Sequence, residues 1–159
     1  MSLIVRPCVE HDLDRVSELA AKLVQYHHEI DPQRYLLQPR VREGYRWWLG
    51  QELEKPNVVL MVAEHESKID GYAYARLEER DWMRLLDAHG KLHDVWVEPA
   101  LRGTGAAAEL VHACVRALEA LGAGRIVLDT AWGNERARRF FEKLGFRPAM
   151  LEMMLETTR

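Results

Sequence analysis

The stretch VEPALRGTGAA, residues 97–107, sets one arginine among residues with almost no side chains, just before a run of helical character. Gly103 and Gly105 allow a tight turn and close backbone approach, while Thr104 and Ala106 leave amide hydrogens accessible. Unpaired N–H groups at a helix start, with Arg102 beside them, make a seat for an anion such as a pyrophosphate. Ala106, Ala107 and Ala108 continue the small-residue surface into the first turn. Taken alone, the segment also reads as a glycine-containing loop followed by alanines chosen for helix propensity.

Working outward, KLHDVWV (91–97) is a strand stopped by Pro99, and residues 105–121 form a helix with Leu110, Val111, Cys114, Leu118 and Leu121 on one face. RIVLDTAW (125–132) reads as the next strand. Asn134 then opens a shorter helix that buries Ala137, Phe140, Phe141 and Leu144 and stops at Gly145. PAMLEMML is expected to end the chain as a strand. Towards the N-terminus, residues 2–6 form a short strand, and Asp12 caps a helix carrying Leu13, Val16, Leu19, Ala20, Leu23 and Val24 at the 3.6 period. That pattern breaks at YHHEIDP, and a second helix covers residues 39–53. VVLMVAE and IDGYAYARL are two strands joined by a polar turn, whereas residues 78–90 fit a short helix or a loop equally. One α/β or α+β sheet layered with helices follows, and the whole chain, residues 1–159, is expected to be a single domain.

A formal charge of -3 gives no electrostatic case for nucleic acid or an anionic membrane. No window approaches a spanning segment, and the first residues lack the apolar run of a signal peptide. Cys8 and Cys114 are too few and too far apart for a disulfide framework or a zinc site. No metal and a cytoplasmic home are expected.

Two other phosphate motifs fail. A P-loop needs lysine followed by serine or threonine after its glycines, and residues 104–106 offer neither. Gly103-x-Gly105-x-x-Ala108 matches a loose dinucleotide fingerprint, but the link containing Pro99 is not its tight strand exit. The segment resembles instead the signature of the GCN5-related N-acetyltransferase (GNAT) superfamily, with Arg102, Gly105 and Ala107 in the marked places and Val97-x-Pro99 as the strand exit. NERARRFFEKLGF, residues 134–146, resembles a second block of that family through Asn134, Ala137, Gly145 and Phe146. Both blocks come in the right order, and the wider layout is similar over nearly the whole chain.

The resemblance implies a mixed, mostly antiparallel central sheet with helices on both faces and a splay between strands 4 and 5. It also implies acetyl-coenzyme A as cosubstrate. Its pyrophosphate is expected on the amides of Arg102, Gly103, Thr104, Gly105, Ala106 and Ala107, and its pantetheine arm on backbone groups of Val95 and Val97. Asn134 and Phe141 are expected at the same site, although Asn134 as a plain N-cap is equally compatible. The implied reaction is direct attack by a primary amine, of a small molecule or a protein, in a ternary complex. A non-catalytic acyl-coenzyme A sensor is the alternative.

Chemistry of that kind needs a neutral amine and a donor for a developing oxyanion. The Val97 amide is the donor candidate. His93 is the relay candidate, because period two along 91–97 puts it on the face of Val95 and Val97 and turns Asp94 away, unless a bulge intervenes. Where the family often has a tyrosine as acid, this chain has Phe141; coenzyme A then leaves as thiolate, or water, Tyr72 or Tyr74 assists. The first two helices and their loop shape the acceptor entrance in the family, which points to Tyr26, Glu29 and Asp31. Family habit further implies a homodimer, with an exposed terminal strand extending a sheet across a two-fold axis.

Overall fold

The computed structural model describes residues 2–157. Strands β1 (Leu3–Pro7), β2 (Val58–His65), β3 (Lys68–Glu78), β4 (His89–Val97) and β5 (Ile126–Leu128) lie in that order across one sheet. The first four pair antiparallel, and β5 joins β4 in parallel. Helices α1 (Leu13–Ile30) and α2 (Val41–Glu52) cover one face; α3 (Ala106–Ala120) and α4 (Glu135–Lys143) belong to the other.

Strict alternation builds the two cores. Leu60, Val62, Tyr72 and Tyr74 point at α1 and α2, where they meet Leu13, Val16, Leu19, Leu23 and Leu49. Val59, Ala63, Ala73 and Ala75 point at α3 and meet Leu110, Val111, Cys114 and Leu118. Large side chains fill the first side and alanines line the second, so α3 lies close to the sheet. Gly71 sets that approach: a Cβ there would sit 2.9 Å from a Val97 methyl and 3.2 Å from Leu110.

Three expectations are corrected. Asp12 does not cap α1; its carboxylate accepts from Arg6 at 2.7 Å and from the Val9 amide at 2.9 Å, pinning the start of the chain below the helix. The strand expected over 125–132 pairs only at Ile126–Leu128. The terminal run PAMLEMML forms no strand, and residues 147–157 carry no regular structure and are exposed. The ambiguous stretch 78–90 is a turn around an Asp81–Leu86 bridge, with its ends absorbed by β3 and β4.

One polar network fixes where β4 ends. Arg15 on α1 donates to the Ile69 carbonyl at 2.9 Å and to the carboxylates of Asp70 and Glu98 at 3.3 and 3.0 Å, and Lys22 also reaches Glu98. Glu98 precedes Pro99, so these bonds hold the strand exit from which the glycine loop departs.

Candidate active site

Pairing between β4 and β5 stops at Leu92 and Leu128. Beyond it the two strands part, and residues 93–97 have no strand partner on that side among the described residues. The Glu98 amide donates to Asp70 on β3 at 2.7 Å; by alternation the amides of Val97 and Val95 turn away from β3, into the gap. Lys91 pairs with Asp129 across the foot of the gap, tying its two walls together.

The loop above follows from its glycines. Gly103 and Gly105 have φ of 79° and 92°, in the left-handed region, and a Cβ on either would meet nothing within 4 Å. Gly105 takes the N-cap position of α3 with no side-chain cap. The amides of Gly103, Gly105, Ala107 and Ala108 have no acceptor among the described residues, and that of Ala106 has only the Thr104 hydroxyl at 3.4 Å. The run of free amides is narrower than expected, because Arg102 and Thr104 donate theirs to Pro99 and Leu101. The Arg102 guanidinium lies over the Trp96 ring, 5.3 Å from its centroid, rather than over the loop.

A bulge corrects the face assigned to His93. Tyr74 pairs with Asp94 and Ala75 with Leu92, so His93 is the extra residue. Its ring sits 5.4 Å from that of Tyr74, and its Nε2 lies 3.2 Å from a Glu78 oxygen, on the α1–α2 face with Asp94 and Trp96. Val95 and Val97 point the other way, into the α3 side. His93, Glu78, Glu79, Asp81, Arg84, His89 and Lys91 line a cavity of about 170 Å³. A wider surface cleft of about 420 Å³ between α1 and α2 lies elsewhere, and its Arg46 is already bound to Glu10 and Asp14.

Burial lowers the His93 pKa below the ordinary 6.5, opposed by the neighbouring Glu78 carboxylate. A carboxylate on Nε2 fixes the proton there and leaves Nδ1 as the free base. Burial pushes half-buried Asp94 up to about 6, partly offset by the Tyr72 hydroxyl that donates to it at 3.0 Å. A raised carboxyl pKa means that folding favours the protonated form, so ionisation costs stability as pH rises from below 4 through about 6. The full shift corresponds to about 3 kcal/mol, and half-burial lets solvent screen part of it. Asp94→Asn is therefore expected to stabilise the fold by about 1–2 kcal/mol at pH 8 and to change nothing below about pH 4. Urea unfolding at both pH values checks it; equal gains at both would mean that ionisation is not the cause.

The remaining sequence candidates divide. Tyr26 packs edge-on against Trp96, with centroids 5.9 Å apart, and so joins the β4 wall. Glu29 stays exposed and accepts from Gln25, while Asp31 ends α1 and accepts from the Arg34 amide. Asn134 is buried and caps α4 by accepting from Ala137 at 3.1 Å. Phe141 packs edge-on between Phe140 and Phe146. Tyr72 and Tyr74 commit their hydroxyls to Asp94 and Glu52, on the face opposite α3. Glu78, which sequence reasoning did not single out, and Asp94, which it turned away unless a bulge intervened, stand beside His93 on this face with Trp96.

Comparison with known proteins places the whole arrangement in a family. The model of the Acetyltransferase (GNAT) family matches residues 18–146. The chain belongs to that family. A Mycobacterium tuberculosis protein carried as an uncharacterized N-acetyltransferase is 34% identical over 99 residues, which is 62% of this chain and 58% of that protein. The chain thus spans under two thirds of that relative's length. A tetramutant of the BH1408 protein from Bacillus halodurans has the same fold at 21% identity and a TM-score of 0.82, covering 96% of this chain and 99% of its own. Aminoglycoside N-acetyltransferase AAC(6')-Iy in complex with CoA superposes at 18% identity and a TM-score of 0.77, covering 98% and 95%. At such identities the likeness is one of fold.

Proposed function

We propose that the protein is an acetyl-coenzyme A-dependent N-acetyltransferase that acylates a primary amine, of a small molecule or a protein, by direct attack in a ternary complex. The observation that carries this reading is one continuous feature: strands that part after Leu92, with the Val95 and Val97 amides facing the gap, under a loop whose Gly103, Gly105, Ala107 and Ala108 amides have no acceptor among the described residues. The residues present suit the cosubstrate. Gly103, Gly105 and Ala106 to Ala108 would hold its pyrophosphate, Val95 and Val97 would pair with its amide-bearing arm, and Asn134 and Phe141 would line the far wall. When bound, it supplies a thioester carbonyl open to attack.

The chain's own part is positioning and proton handling. The Val97 amide donates to the carbonyl oxygen as charge builds there. His93 takes the proton of the attacking amine on Nδ1 as the new C–N bond forms and the C–S bond breaks, while Glu78 holds Nε2–H and steadies the cation. Phe141 has no proton to give, and the two buried tyrosines are engaged elsewhere, so coenzyme A departs as thiolate, a tolerable leaving group at a thiol pKa of about 8.5. The acceptor enters from the α1–α2 side, past Tyr26 and Trp96, with Glu29 and Asp31 at the outer rim. The whole chain acts as one domain, in the cytoplasm and as a homodimer.

Thioester turnover with a panel of amines and peptides tests the reading. His93→Ala is expected to lower turnover by about 100-fold with coenzyme A affinity within about twofold. The wild-type rate should fall as pH drops through the His93 pKa, below 6.5, and this acidic limb should vanish in the variant. Asp94→Asn serves as control, because Asp94 titrates nearby. Equal turnover and an equal pH profile would remove His93 from the mechanism. Phe141 favours one second reading, a sensor of acyl-coenzyme A, which predicts binding with no turnover of any amine.

A further inference from the structure

The cavity beside His93 carries polar groups that the proposed reaction leaves unused. It runs along β4 from His93 to His89, and the turn between β3 and β4 borders it with Glu79, Asp81 and Arg84. His89 is the decisive residue. Only 3% of it is exposed, and its Nδ1 lies 2.8 Å from the Asp87 carbonyl. A carbonyl can only accept, so the proton sits on Nδ1 and Nε2 carries a lone pair. Nε2 has no hydrogen-bond partner among the described residues, and unlike the indole nitrogen of Trp96 it is not sealed from solvent. Because the buried ring lines the cavity, that open nitrogen faces the cavity as an acceptor.

The charged groups around it create the same demand. Both cations of the cavity turn to one carboxylate: Lys91 pairs with Asp129, and Arg84 reaches the same side chain at 3.9 Å. Arg80, at the rim, is held by Asp87 at 3.0 Å and lies over the Trp82 ring. Glu78 is shared between Arg76 and His93. Asp81 uses one oxygen to accept from the Met83 and Arg84 amides, which leaves the other open. Glu79 is exposed and pairs with no cation among the described residues. The carboxylates alone would be a solvated rim. With a buried lone pair lining the same cavity, every unmet group is an acceptor. One ligand group answers them all: an ammonium, with three N–H donors and a positive charge.

We propose that the acceptor is a small diamine, whose first amine meets His93 while Glu79, Asp81 and Nε2 of His89 hold the second as an ammonium. The proposal rests on the acetyltransfer reading for its catalytic end alone. In that reading the amide-bearing arm of the cosubstrate follows β4 from Val97 to Val95, and His93 and His89 come next along the same strand. His93 falls between the third and fourth ladder steps from His89, about 12 Å along the strand, and both side chains line one cavity. Its volume of about 170 Å³ is below the roughly 300–1,000 Å³ of pockets for drug-sized ligands, which suits a short flexible chain.

Calorimetry of the full chain, with and without coenzyme A, tests the subsite without requiring turnover. The probes run from diaminopropane to diaminooctane, each beside the monoamine of equal length. The best diamine should bind about tenfold more tightly than its monoamine, the effect of one added charge-assisted contact. That ratio should fall to within about twofold in Glu79→Gln with Asp81→Asn, which removes both charges and keeps both shapes. His89→Asn should lower it in part, since the amide keeps a donor for Asp87 and lacks the Nε2 lone pair. Equal affinity for diamines and monoamines, no binding of either under both conditions, or a ratio that survives the double substitution would overturn the proposal. Its failure and that of the transferase reading look different. Diamine binding that depends on Glu79 and Asp81, with no acetyl transfer to any amine, upholds the subsite and sinks the transferase. Transfer to monoamines with no preference for diamines does the reverse.

Discussion

Gly105→Glu is expected to raise the dissociation constant for coenzyme A about 1,000-fold while the protein stays folded, on the order of 4 kcal/mol. Gly105 caps α3 with φ of 92°, and a Cβ there would open into free space, meeting nothing within 4 Å. The new carboxylate would thus clash with nothing in the fold. Two effects act on binding. A residue with a Cβ resists the left-handed conformation by about 1–2 kcal/mol, which tilts the loop away from the arrangement that leaves its amides free. The carboxylate also adds negative charge where a pyrophosphate is to be held, and near a protein surface one pair of like charges at 4 Å costs about 4 kcal/mol. Gly105→Ala separates the two effects, since it carries the strain without the charge and should cost about tenfold. Calorimetry with coenzyme A measures both variants. Unchanged affinity in folded Gly105→Glu protein would move the phosphate site off this loop.

The fold was legible wherever a side chain's neighbours lie along its own strand or helix. The alternation in β2 and β3 is local, and so is the 3.6 period of α1 and α3, and these four elements define both cores. The glycine loop was legible for a related reason: the positive φ of Gly103 and Gly105, 79° and 92°, is a local backbone state that favours glycine. The site failed to show where pairing decides. Whether His93 faces α1 or α3 depends on a register step against β3, and the residues of β4 do not encode which of them is extra. Glu78 could not be linked to His93 before the turn at Asp81–Leu86 was known to fold the two strands back together.

The terminal arm and Arg102 mark the same boundary from the other side. AMLEMML has the composition of a strand, yet a strand exists only with a partner, and none of the described strands pairs with it. Arg102 sits where an anion-binding arginine is expected, but an aromatic face within reach of a flexible side chain takes it first. Tyr26, picked for the acceptor side, reaches β4 through the same tryptophan. Glu29 and Asp31, picked with it, stay on local partners at the end of α1.

The buried carboxylate of Glu52 should prove the most sensitive point of the fold. Its side chain is 1% exposed, at the last position of α2, where the helix dipole disfavours a negative charge. Tyr74 donates to it at 2.5 Å, Arg76 lies 3.3 Å away, and Lys55 binds its other oxygen. Burial alone would raise its pKa, but these partners outweigh burial and hold it below the ordinary 4.5. Glu52→Ala would leave the fully buried Tyr74 hydroxyl without an acceptor and Arg76 with Glu78 as its remaining carboxylate, a loss of about 4 kcal/mol dominated by the stranded hydroxyl and the emptied site. For a chain of this size that lowers the melting temperature by about 10 °C. Glu52→Gln keeps an acceptor for Tyr74 and should lose about half as much. A depressed carboxyl pKa contributes stability above the unfolded value, so the gap between wild type and Glu52→Ala should be full at pH 7 and close as pH falls below about 4. Equal melting temperatures at pH 7 would show that Tyr74 and Arg76 find other partners. Because the Tyr74 ring supports His93, the same substitution, measured below its melting point, should also loosen the imidazole and broaden the acidic limb of turnover.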